Sequence, residues 1–209
     1  MARSLVRLAV VAAVAAIAIP VGTASAGGGL LGGLTTSLLG GGCGPSVQPF
    51  AQFGDNGSYY FAPNGGFEQG TTGWTFAGGA TVRAGNESFA VHSANDGYSA
   101  VVPSGGSLST NLCYGLLYPN LRFFVADADG GQATVHVRVI AHSLLGVLSV
   151  FDGGTFQVSG GWQPSPQLST LLSALAAPLG TKNLTLQISV EGGTVQVDDL
   201  YVDPIVRVA

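Results

Sequence analysis

The sequence predicts an all-β sandwich of about nine antiparallel strands, and three observations support this prediction. Short segments rich in Val, Thr, Tyr and Phe recur about every 8–12 residues, with alternating polar and apolar positions. Paired glycines separate most of these segments, and the chain holds 33 glycines in 209 residues. Only residues 167–180 have helical spacing, and Pro178 interrupts them. Together these features are typical of sheets joined by tight turns.

The first 26 residues have the features of a secretory signal peptide. Arg3 and Arg7 precede an apolar run at 8–19, and the small residues 24–26 form a cleavage site. We therefore expect a secreted protein, cleaved after Ala26; an uncleaved anchor is the alternative. The run is shorter than the ~20 residues that span a bilayer, and no later segment is long and apolar enough. The mature chain is thus expected to have no membrane span.

The remaining chain divides into a leader and one domain. Residues 27–42 are rich in Gly and Leu, and their glycine content disfavours a stable helix. We expect a flexible leader; weak self-association through its leucines is the alternative. Residues 43–209 are long enough to bury one core, and we assign them to a single β-sandwich domain.

The charge of the chain argues against several partners. It has 7 Lys+Arg and 11 Asp+Glu, and loss of Arg3 and Arg7 with the signal peptide leaves a net charge of −6. The sequence contains no basic patch. Nucleic acid and anionic lipid are therefore poor partner candidates.

The chain contains two cysteines, Cys43 and Cys113. In an exported protein the simplest expectation is one disulfide between them. Two free thiols or a metal-binding pair are the alternatives. A disulfide closing a loop of about 70 residues would stabilise the fold by roughly 4 kcal/mol.

The expected strands follow one another along the domain. Residues 73–85 are expected to form two strands, separated at Gly78-Gly79. Single strands are expected at 58–62, 98–102, 107–115, 120–128 and 132–142. Asp129-Gly130-Gly131 is expected to close a hairpin between the last two. Residues 146–162 and 183–204 are expected to form further hairpins, which turn at Asp152-Gly153-Gly154 and Glu191-Gly192-Gly193.

Acidic residues lie near both ends of this strand series. Glu68 follows the glycine turn Asn64-Gly65-Gly66 after the first strand, and Asp198-Asp199 lie on the last strand. First and last strands of a sandwich commonly lie side by side, so these carboxylates would meet and repel unless a cation joined them. Ca²⁺ takes six to eight oxygens, which carboxylates and glycine-turn carbonyls supply. In the alternative, Glu68 caps a turn and Asp198 accepts backbone amides.

These end segments carry a resemblance. Asn64-Gly65-Gly66-Phe67-Glu68 with Gly73-Trp74, and Val197-Asp198-Asp199-Leu200 at the far end, resemble jelly-roll modules of the galactose-binding-like superfamily. Within that superfamily, the two end segments most resemble those of carbohydrate-binding modules of families 4, 9 and 22, and the resemblance spans residues 58–204. The resemblance implies a jelly roll with a structural calcium bound by Glu68 and Asp198, and with Asp199 as a further candidate ligand.

A second resemblance covers the whole chain. The segments "CGPSVQPFAQFGD", "LRFF" and "VQVDDLYVDP" resemble those of a group of secreted actinobacterial proteins of unknown function. This resemblance implies no activity.

The candidate ligand surface lies on the strand 132–142. Its alternation places Val135, Val137 and Val139 on one face and His136 and Arg138 on the other. Modules of the superfamily bind sugars on a concave sheet face or in loops at one end. His136 and Arg138, together with Trp162 or Tyr114, are the candidate sugar contacts. The alternative is a solvated outer face.

The sequence gives little support for catalysis. It contains no zinc-ligand spacing, no G-x-S-x-G nucleophile turn and no paired carboxylates that the pattern brings across a cleft. We expect a non-catalytic module for extracellular or cell-wall carbohydrate. The alternative is a structural protein of the cell envelope that binds a protein partner or itself.

Overall fold

The computed structural model describes residues 44–112, 120–143, 146–169 and 183–203. The predicted signal peptide and leader, Cys43, Cys113, Tyr114 and most of the segment 167–180 lie outside these ranges. Within them no helix has the length and hydrophobicity needed to span a bilayer.

The described chain is built almost entirely from strands, with one 3₁₀ turn at Ala51–Phe53. The strands are β1 (Ser46–Val47), β2 (Tyr59–Phe61), β3 (Trp74–Ala77), β4 (Thr81–Ala84), β5 (Tyr98–Val102), β6 (Ser107–Leu112), β7 (Asn120–Asp127), β8 (Ala133–Ser143), β9 (Gly146–Val158), β10 (Gln163–Pro164), β11 (Leu168–Ser169), β12 (Asn183–Glu191) and β13 (Val195–Asp203). This confirms the predicted all-β sandwich; three two-residue strands, β1, β10 and β11, were not predicted.

The strands form two antiparallel sheets. The five-stranded sheet has the order β3-β6-β12-β8-β9. In the eight-stranded sheet β13 is central: β7 pairs along one of its edges, while β5 and β2 share the other. The expected pairing of the first and last strands is confirmed, because Tyr201 of β13 lies opposite Phe61 of β2.

Two of the predicted hairpins are wrong, although their turns are correctly placed. The turn at 129–131 joins β7 of the eight-stranded sheet to β8 of the five-stranded sheet, so these neighbours in sequence do not pair. The turn at 191–193 likewise carries the chain from β12 to β13 in the other sheet. Both glycine turns bridge the layers of the sandwich, as jelly-roll connections do.

The third predicted hairpin, at Asp152-Gly153-Gly154, is also wrong. β9 continues through this segment as one strand alongside β8, and the register shifts between Val137 and Arg138. Gly153 is the extra residue of a β-bulge, and Gly154 has a φ of 136°. Because β8 offers partners along the whole of β9, pairing prevails over the turn signal.

The sandwich core lies between the two sheets. It includes Phe67, Trp74, Leu108, Phe123 and Leu200, all buried. The alternation predicted for 132–142 is confirmed, because Val135, Val137 and Val139 are all fully buried. Burial of such large side chains contributes about 1.5–3 kcal/mol each.

A second aromatic cluster covers the outer face of the eight-stranded sheet. Phe124 and Tyr201 alternate with core residues on β7 and β13, so their side chains face away from the core. On this outer face they pack against Phe50 and Tyr59. The Phe50 ring stacks on Phe124, with centroids 5.4 Å apart. The segment before β2 is thereby fixed onto the sheet, with both faces of β13 buried.

Candidate functional site

The predicted acidic pair Asp198-Asp199 lies where β13 changes partners. On one edge β13 pairs with β5 up to Val197 and with β2 from Tyr201. On the other edge its register with β7 shifts between Asp198 and Tyr201. Asp199 has a φ of 46°, in the left-handed region. Because of this bulge, the peptide groups of 198–200 do not pair with β5 or β2. The glycine turn after β2 and the loop 85–97 instead form hydrogen bonds with the residues of the bulge.

The glycine turn after β2 fills part of this gap. The amide of Ala62 donates to the carbonyl of Leu200 at 2.9 Å, and the amide of Leu200 donates to the carbonyl of Gly65 at 3.2 Å. A Cβ on Gly65 would lie 2.9 Å from the Leu200 carbonyl oxygen, and one on Gly66 would lie 2.9 Å from Oδ1 of Asp199. The two glycines are therefore required by close approach to the bulge.

The three predicted metal ligands all hold one loop, residues 85–97. Asp198 Oδ2 accepts the amide of Glu87 at 2.9 Å, and Asp199 Oδ2 accepts the amide of His92 at 3.2 Å. Glu68 Oε1 accepts the amides of Gly97 and Tyr98, both at 2.8 Å. The loop thus brings its own acidic residues to the bulge.

Sequence reasoning missed three residues of this loop: Glu87, His92 and Asp96. Glu87 is buried, and its carboxylate accepts the amides of Phe89 and Val91. His92 Nδ1 lies 2.6 Å from Asp96 Oδ2, and its ring stacks on Phe61 with centroids 3.9 Å apart. The sequence signal that could have identified them is the run of polar residues in "NESFAVHSAND", between two predicted strands. We call Glu87, His92, Asp96, Asp198 and Asp199 the bulge site.

Burial makes the charged forms of the two aspartates costly. Asp198 and Asp199 are both fully buried. Desolvation, and then the charge of Asp199, raise the pKa of Asp198 to about 9. Desolvation and the charge of Glu87 raise the pKa of Asp199 to about 7, against the lowering effect of His92. Adjacent buried carboxylates of this kind either take up protons or need a cation.

The residues of the bulge site fit a cation. Asp199 Oδ1 is buried without a hydrogen-bond donor among the described residues. Ligand atoms of His92, Asp96 and Asp199 lie within 4.8 Å of one another. The two carboxylates suit Ca²⁺, whereas the imidazole nitrogen suits a transition metal.

Backbone strain concentrates at the same place. Among the described residues, the non-glycine residues with positive φ are Asn64, Phe67, Ala90 and Asp199. All four lie in the glycine turn, the loop 85–97 or the bulge. Such conformations cost about 1–3 kcal/mol each and are commonly kept at functional sites.

The predicted sugar contacts do not form one surface. His136 and Arg138 lie on the outer face of the five-stranded sheet, with His136 Nδ1 3.1 Å from Thr155 Oγ1. Trp162 packs against the aromatic cluster on the outer face of the other sheet. The two groups therefore face opposite sides of the sandwich, because the residues that follow β9 cross to the eight-stranded sheet.

The outer face around Arg138 is a continuous polar surface. One row of paired residues crosses all five strands: Thr75, Ser109, Gln187, Arg138 and Asp152. The adjacent row is Ala77, Ser107, Ser189, His136 and Thr155. We call these two rows the polar face. Its five strands span roughly 19 Å at ~4.8 Å per strand spacing.

The fold is similar to solved carbohydrate-binding modules. It matches the CBM22-1–GH10 modules of the Clostridium thermocellum endo-1,4-beta-D-xylanase 10B, complexed with xylohexaose, at a TM-score of 0.51 and 17% identity. The match covers 69% of this chain and 28% of that one. It also matches the CBM22-1–CBM22-2 tandem domain of Paenibacillus barcinonensis Xyn10C at 0.50 and 16%, over 71% and 45% of the two chains.

The single CBM22-1 xylan-binding domain of Paenibacillus barcinonensis Xyn10C is similar at a TM-score of 0.49 and 18% identity, over 67% of this chain and 91% of that one. No family model and no curated protein matches the sequence. At these identities the first two likenesses establish the fold alone, a jelly-roll β-sandwich.

Proposed function

We propose that this protein is a secreted, non-catalytic module that binds extracellular or cell-wall carbohydrate on its polar face. The observation behind the proposal is the row from Thr75 to Asp152, which offers hydroxyl, amide, guanidinium and carboxylate groups across five strands. A polysaccharide presents hydroxyls that both donate and accept hydrogen bonds along its length. An extended row of mixed donors and acceptors is complementary to such a chain. The fold shared with CBM22-1–GH10 modules that were solved in complex with xylohexaose supports the same ligand class.

Arg138 is the residue on which binding should depend most. It is exposed and lies on β8, an interior strand of the five-stranded sheet. Its guanidinium presents five N–H donors in a rigid fork. His136, in the adjacent row, is partly buried and held between Thr155 and Glu191, whose Oε2 lies 3.4 Å from Nε2. Because Nδ1 contacts Thr155 and Nε2 is buried, it would contribute ring-carbon contacts in a fixed orientation. Trp162 and Tyr114 remain candidates only for a contact elsewhere on the molecule.

Calcium is proposed as a structural ion at the bulge site. Asp199, whose Oδ1 has no partner among the described residues, would bind it together with Asp96 and His92. Asp198 and Glu68, the other two ligands predicted from the sequence, remain candidates. When bound, the ion would neutralise buried negative charge. In that role it fixes the loop 85–97 against β13 and takes no part in sugar chemistry.

The test is retention of the purified protein on polysaccharides. The panel contains xylan, cellulose, mixed-linkage glucan and peptidoglycan, each in calcium and in chelator. We expect selective retention on one glycan, and Arg138→Ala should weaken it about tenfold, which corresponds to the loss of one good hydrogen-bonding group. Arg83→Ala, an exposed arginine on β4 of the other sheet, is the matched control and should bind normally.

The competing function is that of an envelope protein that binds a protein partner or a second copy of itself. The observation that favours it is β9, a 13-residue strand at the edge of the five-stranded sheet, which pairs only with β8 among the described residues. A long uncovered edge is a template for strand addition. Failure to bind any glycan, together with concentration-dependent dimerisation in light scattering, would replace carbohydrate binding with this function.

A further inference from the structure

A polar cavity of about 540 Å³ lies on the outer face of the eight-stranded sheet. We call it the Asp55 cavity. Residues from separate parts of the sequence form it: the loop before β2, the outward side of β7, Gln167 just before β11, and Asp203 at the end of β13. Its polar lining side chains include Gln48, Asp55, Asn56, Arg122, Gln167 and Asp203. It is separate from the polar face, which belongs to the other sheet.

The guanidinium of Arg122 is held in place before any ligand arrives. Nε and Nη2 both donate to the carbonyl of Ser165, at 2.9 and 2.7 Å. The guanidinium carbon lies 4.6 Å from the centroid of the Phe50 ring, in cation–π contact. Nη1 donates to Asp55 Oδ2 at 2.8 Å. These bonds use three of the five N–H groups, and the other two have no acceptor among the described residues.

Asp55 is fixed just as firmly. Its Oδ2 also accepts the hydroxyl of Tyr59 at 2.6 Å, and its Oδ1 accepts the amide of Gly57 at 2.9 Å. Burial alone would raise its pKa, but the bonds from Tyr59, Gly57 and Arg122 outweigh burial and lower it. The cavity thus presents a preorganised, ionised acceptor beside a preorganised donor, and little ordering entropy is lost on binding.

The charges in the cavity select the ligand class. The guanidinium of Arg122 is already neutralised by Asp55, 2.8 Å away. An anionic ligand would therefore find no unpaired positive charge on Arg122. The amides of Gln48, Asn56 and Gln167 supply further donors and acceptors, so the complementary ligand is neutral and rich in hydroxyls. The volume falls within the range of about 300–1,000 Å³ that is usual for small-molecule sites.

We propose that the Asp55 cavity is a second carbohydrate site, which binds one or two residues of a neutral sugar through adjacent hydroxyls. One hydroxyl donates to Asp55 while its neighbour accepts from Arg122. The inference rests on the proposed function for the nature of the ligand, but it uses none of the residues of the polar face. Such a site would hold a short glycan or chain end, whereas the polar face would hold an extended chain.

The experiment is a ¹H–¹⁵N NMR titration of the full chain with xylose, galactose, glucose and xylobiose. Glucuronate and CaCl₂ are the anionic and cationic controls. We expect saturable shifts of the Gly54, Asn56 and Gly57 amides with at least one neutral sugar. Gln167→Ala and Asn56→Ala, at exposed positions that fold should tolerate, are expected to weaken that binding about tenfold. Arg138→Ala is expected to leave it unchanged.

The outcomes separate the two sites. Cavity shifts that survive Arg138→Ala support this inference even if the protein is retained on no polysaccharide. Retention on a polysaccharide with no sugar-induced shift at Gly54, Asn56 or Gly57 would overturn the inference and leave the proposed function intact. Shifts there with glucuronate or Ca²⁺ alone would also overturn it, because the ligand class would be wrong.

Discussion

The backbone amide of Glu87 donates a 2.9 Å hydrogen bond to Oδ2 of Asp198, a residue 111 positions further along the chain. Both residues are buried, and the bond closes a loop onto the one irregular point of the central strand β13. At this point acidic side chains accept the backbone amide hydrogen bonds that main-chain carbonyls of paired strands accept elsewhere in the sheet. The consequence is a concentration of buried acidic groups, from which most of the predictions below follow.

Asp199→Asn should separate the calcium-bound and calcium-free states. In chelator we expect stability to be unchanged or slightly higher, because one buried charge is removed while Asn still accepts the His92 amide. In calcium at about 100 times its dissociation constant, the variant should lack roughly 2.7 kcal/mol of stabilisation by the ion. Urea unfolding in both conditions measures the difference. Glu191→Gln, an exposed carboxylate change, is the control and should respond to calcium as the wild type does.

Glu68→Gln tests whether Glu68 is a calcium ligand. The glutamine oxygen can still accept the amides of Gly97 and Tyr98, so the anchoring of the loop should survive. We expect a lower melting temperature in calcium and little change in chelator. Equal shifts in both conditions would show that Glu68 serves only as an amide acceptor.

The calcium-free protein should lose stability as the pH rises. Asp198 and Asp199 have folded-state pKa values of about 9 and about 7, both above the ordinary 3.8. Between pH 3.8 and each of these raised values the folded state binds more protons than the unfolded state, so stability is greatest at low pH and falls as the pH rises to 7 and on towards 9. Thermal melts in chelator from pH 5 to 9 measure this. In Asp199→Asn the part of the loss that Asp199 contributes, which accumulates from about pH 4 to about pH 7, should disappear; an unchanged profile would contradict the assignment.

Gly66→Ala should damage the bulge site directly. Its Cβ would lie 2.9 Å from Asp199 Oδ1, so the carboxylate must move from its place. We expect about 1–3 kcal/mol of destabilisation and weaker calcium binding, measured by unfolding and by calorimetric titration. Gly161→Ala, where a Cβ meets nothing within 4 Å and φ is not positive, should be nearly neutral.

Cys43 and Cys113 are predicted to form a disulfide. The intact mass of the denatured protein should change on alkylation only after reduction, because both thiols are already oxidised. Reduction should destabilise the native protein by roughly 4 kcal/mol. Alkylation of both cysteines without reductant would contradict the pairing. The same mass spectrum tests cleavage after Ala26.

Much of the local structure could be predicted from the sequence. The strand at 98–102 has the predicted bounds, and the alternation along β8 correctly separates the buried Val137 from the exposed Arg138. Glycine pairs correctly marked the turns at 129–131 and 191–193. These features depend on side-chain periodicity and backbone freedom within a few residues, which the sequence displays directly.

The candidate sites could be predicted only in part. The sequence indicated Asp198, Asp199 and Glu68 because they flank two recognisable end segments. It did not indicate Glu87 or Arg122, whose partners lie 111 and 67 positions away. No local pattern encodes which distant carboxylate or carbonyl a side chain will meet.

The sequence by itself determined where the longer strands lie, which side chains of β8 are buried and where most of the turns are, because these are short-range consequences of periodicity and glycine. Tertiary structure decided which sheet each strand joins. A Gly-Gly turn permits either a hairpin or a crossing between layers, and the choice depends on burying both faces of β13. That choice placed the bulge at Asp198–Leu200, separated Trp162 from Arg138, and brought Asp55 and Arg122 together in one cavity.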